Sequence, residues 1–464
     1  MNKADKFFKS IEGKKVAFCG IGKSNLPLIY KFIEKGAKVY ACDRRERSML
    51  TAGQAEDLET AGATLVLGNG YLTELTNLDV DIIFRTPGMN FFLPELNEAR
   101  KKGIAVTSEM EVFFDICPCK IFAVTGSDGK TTTTTLISTM LKEQGYRVHL
   151  GGNIGTPLLP QISDIGENDI AVAELSSFQL ISMRKSPDVA VVTNVAPNHL
   201  DVHKTMDEYI DAKRNILIHQ NAFSRTVLNA DNEITRSFLP DVRGQQVFFS
   251  YSGEVDSGAF LKGDDIYVAD KNGVTKIMNK HEIRVPGEHN VENYLAAISA
   301  VWGYVSIDTI IKVAREFGGV EHRIEFVREK DGVKYYNDSI ATSPTRTIAG
   351  LKAFNQKLIV LGGGYDKHIP FEPLAPYAIE KIKVLILTGP TAPAIEKAIR
   401  ECDGFEGCGM KIIHSENLEQ SVKIAHEIAE SGDIVTLSPA CASFDAYKNF
   451  EERGNHYKKL VNQL

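Results

Sequence analysis

The chain has 464 residues, 43% of them hydrophobic and 24% charged, with a formal net charge of -7. That length suits about three domains of ordinary size, and the balance is that of a soluble globular protein rather than a disordered or fibrous one. The acidic charge argues against a surface that wraps nucleic acid, and no run approaches the roughly 18 to 20 apolar residues that span a bilayer. The start, MNKADKFFKSIEGKK, has no apolar core of signal-peptide length. Of the seven cysteines only Cys117 and Cys119 are neighbours, without the second pair of a zinc site. They read as reduced thiols of a cytoplasmic protein.

Short β-branched runs alternate with helical stretches along the chain, which predicts parallel α/β sheets. The spacing predicts a strand at Lys15–Cys19, the loop Gly20-Ile21-Gly22-Lys23-Ser24-Asn25, a helix, and a second strand at Ala37–Cys42 ending on Asp43. This is a Rossmann-type opening, with Asp43 where a dinucleotide fold holds a ribose. Asn25 stands in place of the fingerprint's third glycine, so the loop is equally a plain strand-to-helix turn. A later strand, Asp81–Arg85, runs into Thr86-Pro87-Gly88 at a carboxyl end, where α/β crevices form.

The strongest signal follows. A strand at Ile121–Thr125 leads into Gly126-Ser127-Asp128-Gly129-Lys130-Thr131 and a helix that opens on a threonine run with Thr132. Backbone N–H groups of such a loop point at phosphate oxygens, and the helix N-terminus adds its positive end. Lys130 would neutralise the β/γ-phosphates, and Thr131 offers a hydroxyl to Mg²⁺. The spacing is shorter than the standard phosphate loop, because Val124 occupies the position of its first glycine.

Other residues of the centre leave alternatives open. Glu174, after a strand at Ile170–Ala173, is either a Mg²⁺ ligand or an acid at a helix start. His199, in Asn198-His199-Leu200-Asp201 after a strand at Val189–Val195, is either a metal ligand or a simple polar contact. Lys213, in a helical stretch at Tyr209–Leu217, reads by itself as an ordinary solvated lysine. Asn290, before a helix at Val291–Val301, is either a cap or a contact to an adenine edge. Beyond Glu321-His322-Arg323, strands at Lys334–Asn337, Lys357–Leu361, Val384–Leu387 and Ile434–Leu437 predict another parallel sheet.

Together these stretches resemble the Mur ligase family. They are GSDGKTTTTTL from Gly126, GGNIG from Gly151, AELSSFQL from Ala173, APNHLD from Ala196, YIDAKRNI from Tyr209, GEHNVEN from Gly287 and EHRIE from Glu321. The segment LSPACASFDAYKNFEERGNHY from Leu437 looks like the D-glutamate-adding branch. The resemblance implies an α/β fold in three domains: Rossmann-like and UDP-precursor-binding over 1–107, P-loop-type and ATP-binding over 108–320, and Rossmann-like and amino-acid-binding over 321–464.

It also implies roles. Lys130 and Thr131 sit on the phosphates of ATP, a first Mg²⁺ is shared with Glu174, and a second lies on His199. Lys213 matches a lysine that is carbamylated into an anionic metal bridge. Asn153 lies near the transferred phosphoryl group, while Asn290, Arg323 and Asp338 contact the nucleotide. Gly22, Lys23, Ser24, Asn25, Asp43 and Arg44 match the region receiving the UDP end of UDP-N-acetylmuramoyl-L-alanine. Thr342, Lys367, Ser443 and Phe450 fall where D-glutamate is held. In one departure Ile340 follows Asp338-Ser339 where the family often carries lysine, which leaves Lys367 to supply most of the charge there.

The expected protein is thus a cytoplasmic, monomeric, ATP-dependent ligase that closes its domains around an acyl phosphate. Two rival readings are folylpolyglutamate synthase, which lacks a leading segment of about a hundred residues, the size of a domain, and a nucleotide-binding regulator or NAD-linked sensor. The regulator leaves Glu174, His199, Lys367 and Ser443 without a purpose.

Overall fold

The computed structural model describes residues 2–196, 205–367 and 369–464. It contains three sheets. The first comprises β1 (Lys15–Cys19), β2 (Lys38–Asp43), β3 (Thr64–Leu67), β4 (Ile82–Arg85) and β5 (Ala105–Thr107) in the parallel order β3-β2-β1-β4-β5. The order reverses beside β1, so the carboxyl ends of β1 and β4 flank the switch point at which doubly wound sheets hold ligands.

The second sheet is larger than its sequence pattern announced. Its strands are β6 (Lys120–Thr125), β7 (Val148–Gly152), β8 (Ile170–Glu174), β9 (Val189–Val192), β10 (Arg225–Asn229), β11 (Gln245–Ser250), β12 (Gly258–Lys262), β13 (Asp265–Asp270) and β14 (Gly273–Asn279). They run in the order β14-β13-β12-β11-β10-β9-β6-β8-β7. β6, β8 and β9 are buried on both faces, as parallel strands covered by helices must be. The expectation of purely parallel sheets fails at one edge, where β12, β13 and β14 pair antiparallel. Their turns, Lys262-Gly263-Asp264 and Asp270-Lys271-Asn272, are short enough to return the chain as hairpins.

The third sheet comprises β15 (Glu325–Lys330), β16 (Val333–Asn337), β17 (Leu358–Gly362), β18 (Ile382–Leu387), β19 (Lys411–His414) and β20 (Ile434–Leu437), ordered β15-β16-β20-β17-β18-β19. All its pairings are parallel except the β15–β16 hairpin.

Residues 1–280 and 292–313 form one compact unit, and residues 281–291 with 314–464 form the other. Among the described residues no helix is long and apolar enough to cross a membrane.

Within the first unit, the helix Glu109–Ile116 joins the first two sheets and buries an acid. Ser108 caps it, and the adjacent Glu109 carboxylate accepts from the N–H groups of Leu158 and Leu159, both at 2.8 Å. Burial raises its pKa to about 7 against the pull of those two donors. The folded chain therefore keeps a proton that the unfolded chain releases near pH 4.3, and stability falls as pH rises between the two values, by at most about 4 kcal/mol. Melting of Glu109→Gln, compared with the parent at pH 5 and pH 8, checks this. The variant should lose less thermal stability over that interval, and parallel losses would contradict the assignment.

Candidate functional site

β6 delivers the phosphate loop. Its apolar side chains are buried against neighbouring strands, and at Gly126 the chain turns sharply towards the helix Lys130–Glu143. Only glycine fits there, since a Cβ on Gly126 would lie 1.8 Å from Thr193 Oγ1. The segment after β9 fixes the turn from below. Thr193 Oγ1 donates to the Asp128 carbonyl at 2.6 Å, Ser127 N donates to the Asn194 carbonyl and Asp128 N to Asn194 Oδ1, each at 2.9 Å. These bonds stop β9 at Val192 rather than Val195, because Thr193 and Asn194 turn their polar groups to the loop.

They also engage the backbone amides of Ser127 and Asp128. Both amides are engaged by Asn194, whereas the first turn of the helix Lys130–Glu143 has N–H groups without an intrahelical acceptor. Ser127 Oγ donates to the Ala196 carbonyl at 2.9 Å and lies 3.0 Å from the Tyr209 hydroxyl. Lys130 Nζ donates to the Ser127 carbonyl at 2.9 Å. Thr133 Oγ1 donates to Asn293 Oδ1 at 3.3 Å. Thr132 is buried, whereas Gly129, Lys130 and Thr131 are half-exposed.

Glu174 is the last residue of β8 rather than a loop acid, and it is buried beside this loop. Its Oε1 accepts from Asn153 Nδ2 at 2.7 Å, while Asn153 N donates to the Glu174 carbonyl at 2.8 Å. β7 approaches so closely that a Cβ on Gly152 would lie 2.3 Å from that carbonyl. Glu174 Oε2 is buried with no hydrogen-bond partner. A carboxylate oxygen held in this way fits a hard cation, and the Thr131 hydroxyl is an oxygen donor of the same kind. Among the described residues there is no cluster of three His, Cys, Asp or Glu side chains that could cage a metal. A magnesium ion here would take much of its coordination from phosphate oxygens and water, as this ion usually does.

Lys213 overturns the solvated reading. The helix is Met206–Arg214, capped by Thr205, and it points Lys213 inward, 1% exposed. Its Nζ donates to the Gly126 carbonyl at 2.6 Å and lies 4.5 Å from the Tyr209 ring centre. Burial, reinforced by the charge of Lys130, lowers its pKa to about 7. A buried lysine of this kind carries a substantial neutral-amine population at physiological pH. His199 lies outside the described residues.

In the first sheet, Asp43 and Asn25 are committed to structure. Asp43 accepts from Ile21 N at 2.8 Å and is gripped by Arg45 through Nε and Nη2 at 3.0 and 2.8 Å. Asn25 Nδ2 donates to the carbonyls of Cys19 and Gly20 at 3.1 Å, closing the loop that a third glycine would otherwise close. Gly22, Lys23 and Arg44 are exposed and Ser24 half-exposed.

In the second unit Asn290 is not a cap. It is the third residue of the helix Glu288–Val301 and donates through Nδ2 to the Pro286 carbonyl at 2.6 Å. Arg323 is exposed, and Asp338 is buried, its pKa raised to about 7 by burial although Ser438 Oγ donates to it at 3.0 Å. Lys367 Nζ donates to Thr342 Oγ1 at 3.3 Å, which brings those two together. Ser443 is buried, and Phe450 opens the C-terminal helix, its carbonyl accepting from Ser339 Oγ at 2.8 Å. Arg346 donates to the Ile340 carbonyl at 3.1 Å, a cation near the place where a family lysine is missing.

Sequence reasoning passed over Thr193, Asn194, Tyr209 and Asn293. Tyr209 and Asn293 lie inside the quoted stretches YIDAKRNI and GEHNVEN and so were within reach. Thr193 and Asn194 were hidden as the tail of an apparent strand.

The Mur ligase middle domain matches residues 124–301, and the Mur ligase glutamate ligase domain matches residues 322–441. A UDP-N-acetylmuramoylalanine–D-glutamate ligase from Acetivibrio thermocellus is 53% identical over 464 residues, covering 100% of this chain and 99% of the relative. One of the same description from Clostridium perfringens is 50% identical over 461 residues, covering 99% of each. A UDP-N-acetylmuramate–alanine ligase structure from Thermotoga maritima shares the fold at a TM-score of 0.55 and 20% identity, covering 97% of this chain and 99% of that one. A phosphate loop turned by Gly126, an orphaned carboxylate oxygen beside it, and these matches along the whole length agree: the chain belongs to the Mur ligase family.

Proposed function

We propose that this chain ligates D-glutamate to UDP-N-acetylmuramoyl-L-alanine with consumption of ATP, in the cytoplasmic synthesis of peptidoglycan precursors. The observation that carries the reading is the unpartnered Glu174 Oε2, buried beside the loop after β6 and near enough to Lys213 for the two charges to act on each other. Such a site is incomplete until a polyanion and its counter-cation arrive. Identity of 53% over the whole length to a relative described as a D-glutamate ligase supports the substrate assignment.

In this reading residues 1–107 receive the UDP precursor, with Gly22, Lys23, Ser24 and Arg44 nearest to it and Asn25 and Asp43 shaping the loop. Residues 108–320 hold ATP on Gly126–Thr132. Residues 321–464 hold D-glutamate on Thr342, Lys367, Ser443 and Phe450. Arg323, Asp338 and Asn290 are proposed for the nucleotide. The protein acts as a monomer.

The precursor carboxylate attacks the γ-phosphorus and ADP leaves, giving an acyl phosphate. Lys130 and the first-turn amides stabilise the charge that spreads over the phosphoryl oxygens. Glu174, Thr131, His199 and a carbamylated Lys213 would hold two Mg²⁺ ions, which screen the repulsion between carboxylate and phosphate. Asn153 orients Glu174 and faces the transferred group. The D-glutamate amine then attacks the acyl carbon, and the tetrahedral intermediate expels phosphate to leave the amide. Neutral Lys213 is the form that adds CO₂, because a protonated ammonium has no lone pair to donate. The carbamate exchanges one buried cation for an anion within reach of metal.

Phosphate release with ATP, Mg²⁺ and the precursor should occur with D-glutamate and not with L-glutamate, L-alanine or diaminopimelate. Release with another amino acid moves the chain to a sibling ligase, and none at all favours the regulatory reading. Lys130→Ala should lower turnover by roughly a thousandfold, and a near-normal rate would refute the loop's role. Lys213→Ala should fail similarly yet recover in part with added short carboxylic acids. A folded, metal-binding variant without recovery would remove the carbamate from the mechanism.

A further inference from the structure

Arg85 is buried where a sheet interior would ordinarily place an apolar side chain. It ends β4 and is 0% exposed. Nη1 donates to the carbonyls of Pro87 at 3.4 Å and Met89 at 3.2 Å. Nη2 donates to the Phe178 carbonyl at 3.0 Å and to Ser182 Oγ at 2.5 Å. No carboxylate lies within ion-pair distance of it among the described residues, although the Glu111 charge acts on it from further away and the Phe91 ring centre lies 5.6 Å from its guanidinium, and its Nε is buried without a partner. Burying a guanidinium without a carboxylate in contact is costly, so its retention calls for something that an apolar residue cannot supply.

Its two ends show what that is. One end is the turn Thr86–Met89, closed by Met89 N donating to the Thr86 carbonyl at 3.0 Å. This turn lies against the first loop: Thr86 N donates to the Cys19 carbonyl at 3.0 Å, and a Cβ on Gly20 would lie 3.2 Å from Thr86 Cβ. The two loops therefore form one wall of the crevice at the carboxyl ends of β1 and β4. The other end is the short helix Ser177–Leu180 and the residues after it, which begin three positions beyond Glu174. A capping box between Ser176 and Gln179 makes that segment rigid.

We infer that Arg85 is a positioning residue that clamps the precursor-facing turn Thr86–Met89 onto the segment following Glu174, fixing how far the precursor's carboxylate extends towards the phosphoryl group. The inference rests on the ligase reading given above. Both Nη groups are spent on protein oxygens and the side chain is sealed from solvent, so Arg85 does not itself bind the precursor's phosphates. Misplacing a reacting group by about an ångström can lower the rate a hundredfold, so a rigid link between crevice and nucleotide site has direct consequences for turnover.

The test compares Arg85→Met, Arg85→Lys and Ser182→Ala with the parent in phosphate release. The KM for UDP-N-acetylmuramoyl-L-alanine and the KM for ATP are measured separately, and the binding of a fluorescent ATP analogue is followed alongside. Arg85→Met should lower kcat about tenfold or more, raise the precursor KM, and leave ATP KM and analogue binding within about twofold. Ser182→Ala, which removes only the bond to the central segment, should lower kcat about threefold in the same pattern, and Arg85→Lys should fall between. If Arg85→Met does not fold, the other two variants carry the test. Precursor and ATP constants that shift together, or a kcat that does not fall, would overturn the inference. A parent chain that releases no phosphate with these substrates would instead overturn the functional reading, and the inference with it.

Discussion

A buried cation held under a backbone turn organises this molecule. Lys213 is sealed from solvent with the Gly126 carbonyl as its acceptor, and no carboxylate pairs with it among the described residues. Removing an ammonium from water is expensive, and its pKa falls to about 7 in consequence, although the Asp128 and Glu174 charges pull the other way. The turn above it cannot relax, because Gly126 has no room for a side chain and Thr193 and Asn194 hold the next two residues.

The neighbouring strands extend that logic. β8 carries Glu174 to the same sheet edge as β6, and β7 places Asn153 against both the side chain and the backbone of Glu174. One carboxylate oxygen is thereby aimed and the other left without a partner. A side chain fixed by two neighbours loses little freedom when a ligand arrives, which is the sense in which the site is preorganised. The same economy of motion runs outward through the segment after Glu174 to Arg85 and the crevice of the first sheet.

Much of this was legible in the sequence, for identifiable reasons. β1 and β20 fell on the expected residues, and β6 and β8 within one residue of them, since parallel strands buried on both faces form continuous apolar runs. The phosphate loop was legible because glycine, lysine and threonine stand between such a run and a helix. Lys213 was not, because the burial of a lysine is decided by the other elements that converge on its helix face. The grip of Arg45 on Asp43 was not legible either, because spacing does not show which side chains fold back onto a loop. The antiparallel hairpins β12–β14 and β15–β16 lacked a strand-to-helix alternation to announce them. Resemblance to the family supplied what periodicity could not, namely roles for residues that look ordinary one at a time.

The central claim is that the precursor's carboxylate is activated as an acyl phosphate on the loop Gly126–Thr131. Its most direct test is one turnover experiment with precursor labelled by ¹⁸O in the L-alanyl carboxylate, with ATP, Mg²⁺ and D-glutamate, followed by mass analysis of the inorganic phosphate. The account predicts that one labelled oxygen moves from carboxylate to phosphate for each amide formed. Amide formation with unlabelled phosphate would contradict it.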